Sequence, residues 1–143
     1  LEDLLQHFTR NGNDIYIDGA NLHIQSRSEV TAGVLNGLGN LIVGYNEKRI
    51  TGNNRTGSHN IVVGGRHNFS SYGGLVAGYS NTISGPLASV SGGDFNTASG
   101  DYASVNWGQG LISDYMVTKQ ALNPFSVHTT NPNQKQKSIQ IKL

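Results

Sequence analysis

Apolar residues recur along this chain at two spacings. From Asn36 onward Ile42, Val62, Val76, Val90 and Val105 fall in one column, at steps of 20, 14, 14 and 15 residues. Gly64, Gly78 and Gly92 make a second column, and Asn68, Asn81 and Asn96 a third, with Ser84-Gly85 and Ser99-Gly100 in register behind them. A fixed period carrying the same small vocabulary is the mark of a coiled, quasi-one-dimensional fold. A unit of 14 residues holds two short strands and two tight turns. Coils of that size stack as parallel ladders about 4.8 Å apart. The fold class expected over residues 36–113 is therefore all-β, a parallel β-roll or β-solenoid with coils of ~14 residues. Its core is expected at Val62, Val76, Ala88, Val90, Ala98 and Val105, one inward parity of the strands. The 20-residue step carries an insertion at Glu47 to Ser58, which belongs in a surface turn.

The opposite parity changes character along the chain. It reads Leu41 and Val43, Ile61 and Val63, Leu75 and Ala77, and then becomes Ser89 and Ser91, Ser104 and Asn106. The early coils are thus apolar on both faces. Parallel strands covered on both sides read that way, but a thin coil covers only one side of its own strand. A contiguous apolar stripe marks an interface. Leu41, Val43, Ile61, Val63, Leu75 and Ala77 are therefore expected to bury against another copy of the chain, the alternative cover being the tail of residues 114–143.

Outside the repeat the pattern shifts. Residues 1–12 open with LEDLLQHFTR, in which Leu1, Leu4 and Phe8 take a heptad-like spacing and Asn11-Gly12 reads as a helix stop. A short coiled-coil stub is expected there, with Leu4 and Phe8 adding to the self-association surface; the alternative is a capping helix over one end of the core. Residues 13–35 alternate apolar and polar through Ile15, Ile17, Leu22 and Ile24, as half-buried strands do, and then turn into a polar loop. Residues 114–143 leave the repeat, with turn signals at Asn123-Pro124 and Asn131-Pro132 and a last alternation in SIQIKL; they read as a cap or tip. The start on Leu1 is read as a fragment boundary.

Composition narrows the function classes. Charged residues are 13% of the 143, yet Val, Ile and Leu recur too regularly for disorder. A formal net charge of +1 gives no footprint for a nucleic-acid partner. With no cysteine, thiolate metal sites and disulfides are excluded. No apolar run approaches the roughly 20 residues of a membrane-spanning helix, so membrane attachment is expected only through other parts of a parent chain.

The five histidines show no metal-site spacing, and strings such as Gly37-Leu-Gly39 precede no helix pattern. No catalytic residue, metal or cofactor is expected. LIVGYN and IVVGGR resemble hexapeptide-repeat acyltransferases and related carbonic anhydrases, but that fold needs a period of six and the spacing here is 14. A flat ice-binding face needs ordered Thr rows, and only Thr82 and Thr97 align. Exposed aromatics near Asn and Asp suit sugar stacking, which makes Tyr79, Phe95, Trp107 and Tyr115 the candidate ligand-binding residues. Trp107, replacing a glycine-like column, is expected to plug the last coil.

ASVSGGDFNTASGDYASV resembles the head repeats of trimeric autotransporter adhesins of Gram-negative bacteria. The resemblance runs over roughly Asn60 to Gly110. It implies a left-handed parallel β-roll that trimerises, joined to coiled coil, on the extracellular or cell-surface side of a bacterium. The expected function is a structural and adhesive module of a homotrimeric surface fibre. One alternative is a fibre tip that binds a surface glycan or protein receptor; the other, against which the 14-residue period counts, is a left-handed β-helix enzyme of the acyltransferase or carbonic-anhydrase class.

Overall fold

The structure, a computed structural model, describes residues 5–114 and 118–119. It begins with a hairpin of β1 (Phe8–Asn11) and β2 (Asp14–Ile17). After a long loop come β3 (Leu41–Val43), β4 (Ile61–Gly65), β5 (Asn68–Phe69), β6 (Leu75–Tyr79) and β7 (Thr82–Ile83). Then follow β8 (Ser89–Val90), β9 (Thr97–Ala98), β10 (Ser104–Val105), β11 (Ile112–Ser113) and β12 (Thr118–Lys119). Two parallel sheets result. One runs β12-β10-β8-β6-β4-β3, the other β11-β9-β7-β5. The chain alternates between them, so this is a parallel β-solenoid of about 4 turns with coils of ~14 residues, as the repeat requires.

The hairpin corrects the sequence reading at the start of the chain. Phe8 to Arg10 are strand, not the end of a coiled-coil stub. Asn11 pairs with Asp14, so Gly12 and Asn13 form a two-residue loop, and Gly12 takes a φ of 60°. An Asn-Gly pair serves a hairpin loop as well as a helix stop. Barely three helical turns are marginal in water, whereas four residue pairs close this hairpin. Phe8 lies on β1 with an exposed side chain and has no heptad role there. Leu4 falls outside the described residues.

The inward parity is as expected. Val62, Val76, Val90 and Val105 are fully buried from the larger sheet, with Ala88 and Ala103 beside them. Phe69, Ile83 and Ala98 meet them from the smaller sheet. Burying each of these branched side chains contributes roughly 1.5–3 kcal/mol. The core is stepped to fit: an added Cβ at Gly74 would come 2.7 Å from Ile83 Cδ1, while the next coil carries Ala88 with the smaller Ala98. Ile42 is in register with Val62 but remains 40% exposed. Its coil has no strand in the smaller sheet, because the insertion takes that path. There the Gly57 N–H donates to the Phe69 carbonyl, and the Phe69 N–H to that of Asn54.

Three columns set the coil, and two of them differ from those read in the sequence. The glycine column is Gly64, Gly78 and Gly93, not Gly92. An added Cβ at Gly64, Gly78 or Gly93 would lie 2.1, 2.2 or 1.9 Å from the carbonyl oxygen of the next coil. Coils stacked at that distance admit only glycine. At Gly92 the nearest atom is 3.9 Å away. Val90 follows Val76 by 14 residues but Gly93 follows Gly78 by 15, so an extra residue bulges between Val90 and Gly93.

The polar column is His67, Asn81 and Asn96, not Asn68, which instead pairs along its strand with Thr82. Asn81 Oδ1 accepts from the Asn96 N–H at 2.7 Å, and Asn96 Oδ1 accepts from the Leu111 N–H at 2.9 Å. Asn81 Nδ2 donates to the carbonyls of Ala77 and Gly93, and Asn96 Nδ2 to those of Gly92 and Gly108. Each amide so satisfies itself and ties its coil to the next. A second ladder, Asn40 to Asn60 to the Gly74 N–H, does the same across the roll.

The third column is the corner that follows β4 and β6. Arg66, Ser80 and Phe95 all have φ between 52° and 59°, and Gly110 continues the series at 65°. The opposite corner repeats the device at His59, Gly73, Leu87 and Tyr102. Two corner residues per coil therefore turn the chain, mostly without glycine, and the glycine column adds a third positive φ at Gly64, Gly78 and Gly93.

Candidate functional site

Two surfaces of the roll are built from more than one coil. The first is the outer face of β3, β4 and β6. Register places Leu41 beside Ile61 and Leu75, and Val43 beside Val63 and Ala77. Six apolar side chains thus form two rows of three. Leu41, Val43, Ile61 and Val63 are exposed, and Leu75 and Ala77 are half-buried. Beyond β6 the first row continues as Ser89 and Ser104, and the apolar surface ends.

The second surface is the corner formed by Arg66, Ser80 and Phe95, roofed by the insertion. Arg49 holds the insertion down. Its Nε donates to the Arg66 carbonyl at 2.8 Å, and its Nη2 to the Ser80 carbonyl and to Thr82 Oγ1. These bonds cap carbonyls left unpaired at the turn, and burial lowers the pKa of the guanidinium below its ordinary value. Between the roof and the roll lies an open-sided depression of about 390 Å³, lined by Ile50, Arg66, Tyr79 and Phe95 among others. The Arg66 guanidinium sits over the Tyr79 ring, 5.7 Å from its centroid. Tyr79 and Phe95 follow one another on adjacent coils, joined by the Phe95 N–H and the Tyr79 carbonyl at 3.2 Å.

Of the four candidate ligand-binding residues, the structure brings together Tyr79 and Phe95. Trp107 is elsewhere. It occupies the bulge position equivalent to Gly92 and is half-exposed, so it does not plug the last coil. The reason is the one that moved the glycine column: the column continues at Gly108, one residue later, whose backbone faces Gly93. Tyr115 lies outside the described residues. Sequence reading missed Arg49, Ile50 and Arg66. For Arg49 and Ile50 the available signal was an insertion placed where a 14-residue register breaks; Arg66 lies outside it, and no pattern in the sequence singles it out.

The buried histidine and the clamped one are structural. His67 Nδ1 accepts from the Asn81 N–H at 3.2 Å, which leaves Nε2 to donate to the Val63 carbonyl at 3.0 Å. Burial lowers its pKa. His59 Nε2 accepts from the Ser26 N–H, and its Nδ1 faces the Thr31 carbonyl, so it pins the loop that leads into the roll. A cavity of about 440 Å³ lies under that loop, lined by His23, Glu29 and His59 among others. Among the described residues no group of three or more His, Asp or Glu side chains is placed to hold a metal ion. Comparison with family models, with curated proteins and with solved structures found no match to this chain.

Proposed function

We propose that this chain is a structural and adhesive module of a bacterial surface fibre, a homotrimer assembled through the outer face of β3, β4 and β6. The observation that carries this reading is the pair of apolar rows, Leu41–Ile61–Leu75 and Val43–Val63–Ala77, left uncovered in the single chain. Exposed apolar grids of this kind are interface surfaces, and a cyclic arrangement buries the same patch on every subunit. The resemblance of the repeats to adhesin heads supports three copies and an extracellular or cell-surface location. Stacked coils tied by glycine contacts and asparagine ladders suit a stiff spacer, and this reading gives the chain no catalytic step and no cofactor.

Paired substitutions test the face. Ile61→Asp places a charge in the middle of the grid, at a site open enough to accept it in a single chain. Light scattering is expected to show a monomer for Ile61→Asp and an unchanged oligomer for Ser89→Asp, its neighbour two strands along. An oligomer indifferent to Ile61→Asp contradicts the assignment.

A further inference from the structure

We propose that the corner depression beneath the insertion binds an acidic saccharide, a pyranose carrying a carboxylate. It goes beyond the fibre reading and does not depend on it, since no residue of the apolar grid lines the depression. Four features carry it.

The first is Arg66. Its guanidinium is steadied by the Tyr79 ring and has, among the described residues, no hydrogen-bond or ion-pair partner. A guanidinium offers a planar fork of donors that matches a carboxylate. Here the fork is already oriented, which lowers the ordering cost of binding. Arg49 differs: its Nε and Nη2 are spent on the roll, so it serves as the bolt.

The second is the aromatic pair. Tyr79 is 45% and Phe95 59% exposed, although the residue that follows each, Ser80 and Asn96, is buried. Ring faces at that exposure take the apolar C–H face of a sugar. The third is shape. About 390 Å³ is at the small end of ligand-pocket volumes, enough for one or two sugar rings. The fourth is charge. No acid lines the depression, and the nearby Glu47 carboxylate is turned onto the backbone of Gly65. Two arginines without a facing carboxylate select an anion. The two rings favour a sugar over a bare anion.

The test is an amide-resolved NMR titration of the intact chain with methyl glucuronide, N-acetylneuraminic acid, methyl glucoside and inorganic phosphate. The proposal expects shifts centred on Ile50, Ser80 and Phe95 with at least one of the two acidic sugars; which one responds distinguishes the uronic from the sialic source. Methyl glucoside and phosphate are expected to bind about tenfold more weakly or worse. Arg66→Gln and Tyr79→Ala should each weaken the acidic sugar by about tenfold, with the remaining spectrum unchanged. Arg66→Lys, which keeps the charge and loses the fork, should fall between. Equal response to the glucoside or to phosphate overturns the proposal, as does the absence of shifts at those three amides at tens of millimolar sugar. Binding that survives both Arg66→Gln and Tyr79→Ala also overturns it.

Discussion

The coils of β4 and β6 and the coils of β8 and β10 share an inside and differ outside. Both bury a valine column against the smaller sheet, and both are stacked through glycine and asparagine. Their outer faces part company: Ile61, Val63, Leu75 and Ala77 in one pair, Ser89, Ser91, Ser104 and Asn106 in the other. An inside that repeats is what the fold needs from every coil. An outside that does not repeat is free to answer to something beyond the coil. The comparison thus separates the residues that make the roll from those that use it.

The strongest way to break the comparison is to attack the shared inside. Val76→Asp and Val90→Asp each bury an unpaired charge, a cost on the order of the ~5–15 kcal/mol that holds a whole domain. Both should abolish soluble folding, judged by expression and circular dichroism. A soluble Val90→Asp with an unchanged Tm would show the inward register to be wrong. Next is the glycine column. Gly78→Ala drives a Cβ to 2.2 Å from the Gly93 carbonyl and adds left-handed strain, on the order of 3–5 kcal/mol together. Gly92→Ala, in open space, should move denaturant stability by less than about 0.5 kcal/mol. Equal effects would erase the distinction between column and bulge.

The asparagine ladder comes third. Asn81→Ala strands the Asn96 N–H and takes the amide donor from the Ala77 and Gly93 carbonyls, of which Gly93 keeps the Tyr79 N–H, for about 2–3 kcal/mol in urea unfolding.

The smallest expected effect separates the first full coil from the others. His67 holds the place that asparagine holds in the next two coils, and its pKa is lowered by burial, with Arg49 adding to the lowering and bonds to the Val63, Asn81 and Gly78 backbone opposing it. A proton on Nδ1 would face the Asn81 N–H, which needs an acceptor there. Above pH 6.5 the imidazole is neutral folded and unfolded, and it contributes no pH dependence. Below 6.5 the unfolded chain takes up the proton first, so stability falls as pH falls until the lowered folded pKa is reached. His67→Asn should flatten that slope in thermal melts at pH 5 to 7. A slope unchanged by the substitution would assign the effect to other groups.

The repeat made the roll legible because a coil must be paid for residue by residue at fixed columns, and Val62, Val76, Val90 and Val105 show it without ambiguity. Gly92 was misassigned because spacing counts residues, whereas hydrogen bonds decide where a fifteenth residue bulges; Asn68 was misassigned because residue type was matched, whereas the register point 14 residues before Asn81 is His67. The hairpin at Phe8–Ile17 was misread because Asn11-Gly12 ends a helix or turns a hairpin equally well, and pairing with distant residues decides. The apolar grid was legible from parity alone. The corner depression was not, because Arg49 reaches 31 residues along the chain to Ser80, and no local pattern encodes a contact made across stacked turns.

The central claim is that the apolar face of β3, β4 and β6 is covered by copies of the same chain. Light scattering on the intact chain tests it most directly. A trimer of the 15.3 kDa chain, about 46 kDa from three times 15.3, is the expected mass. A stable monomer of 15.3 kDa would contradict it.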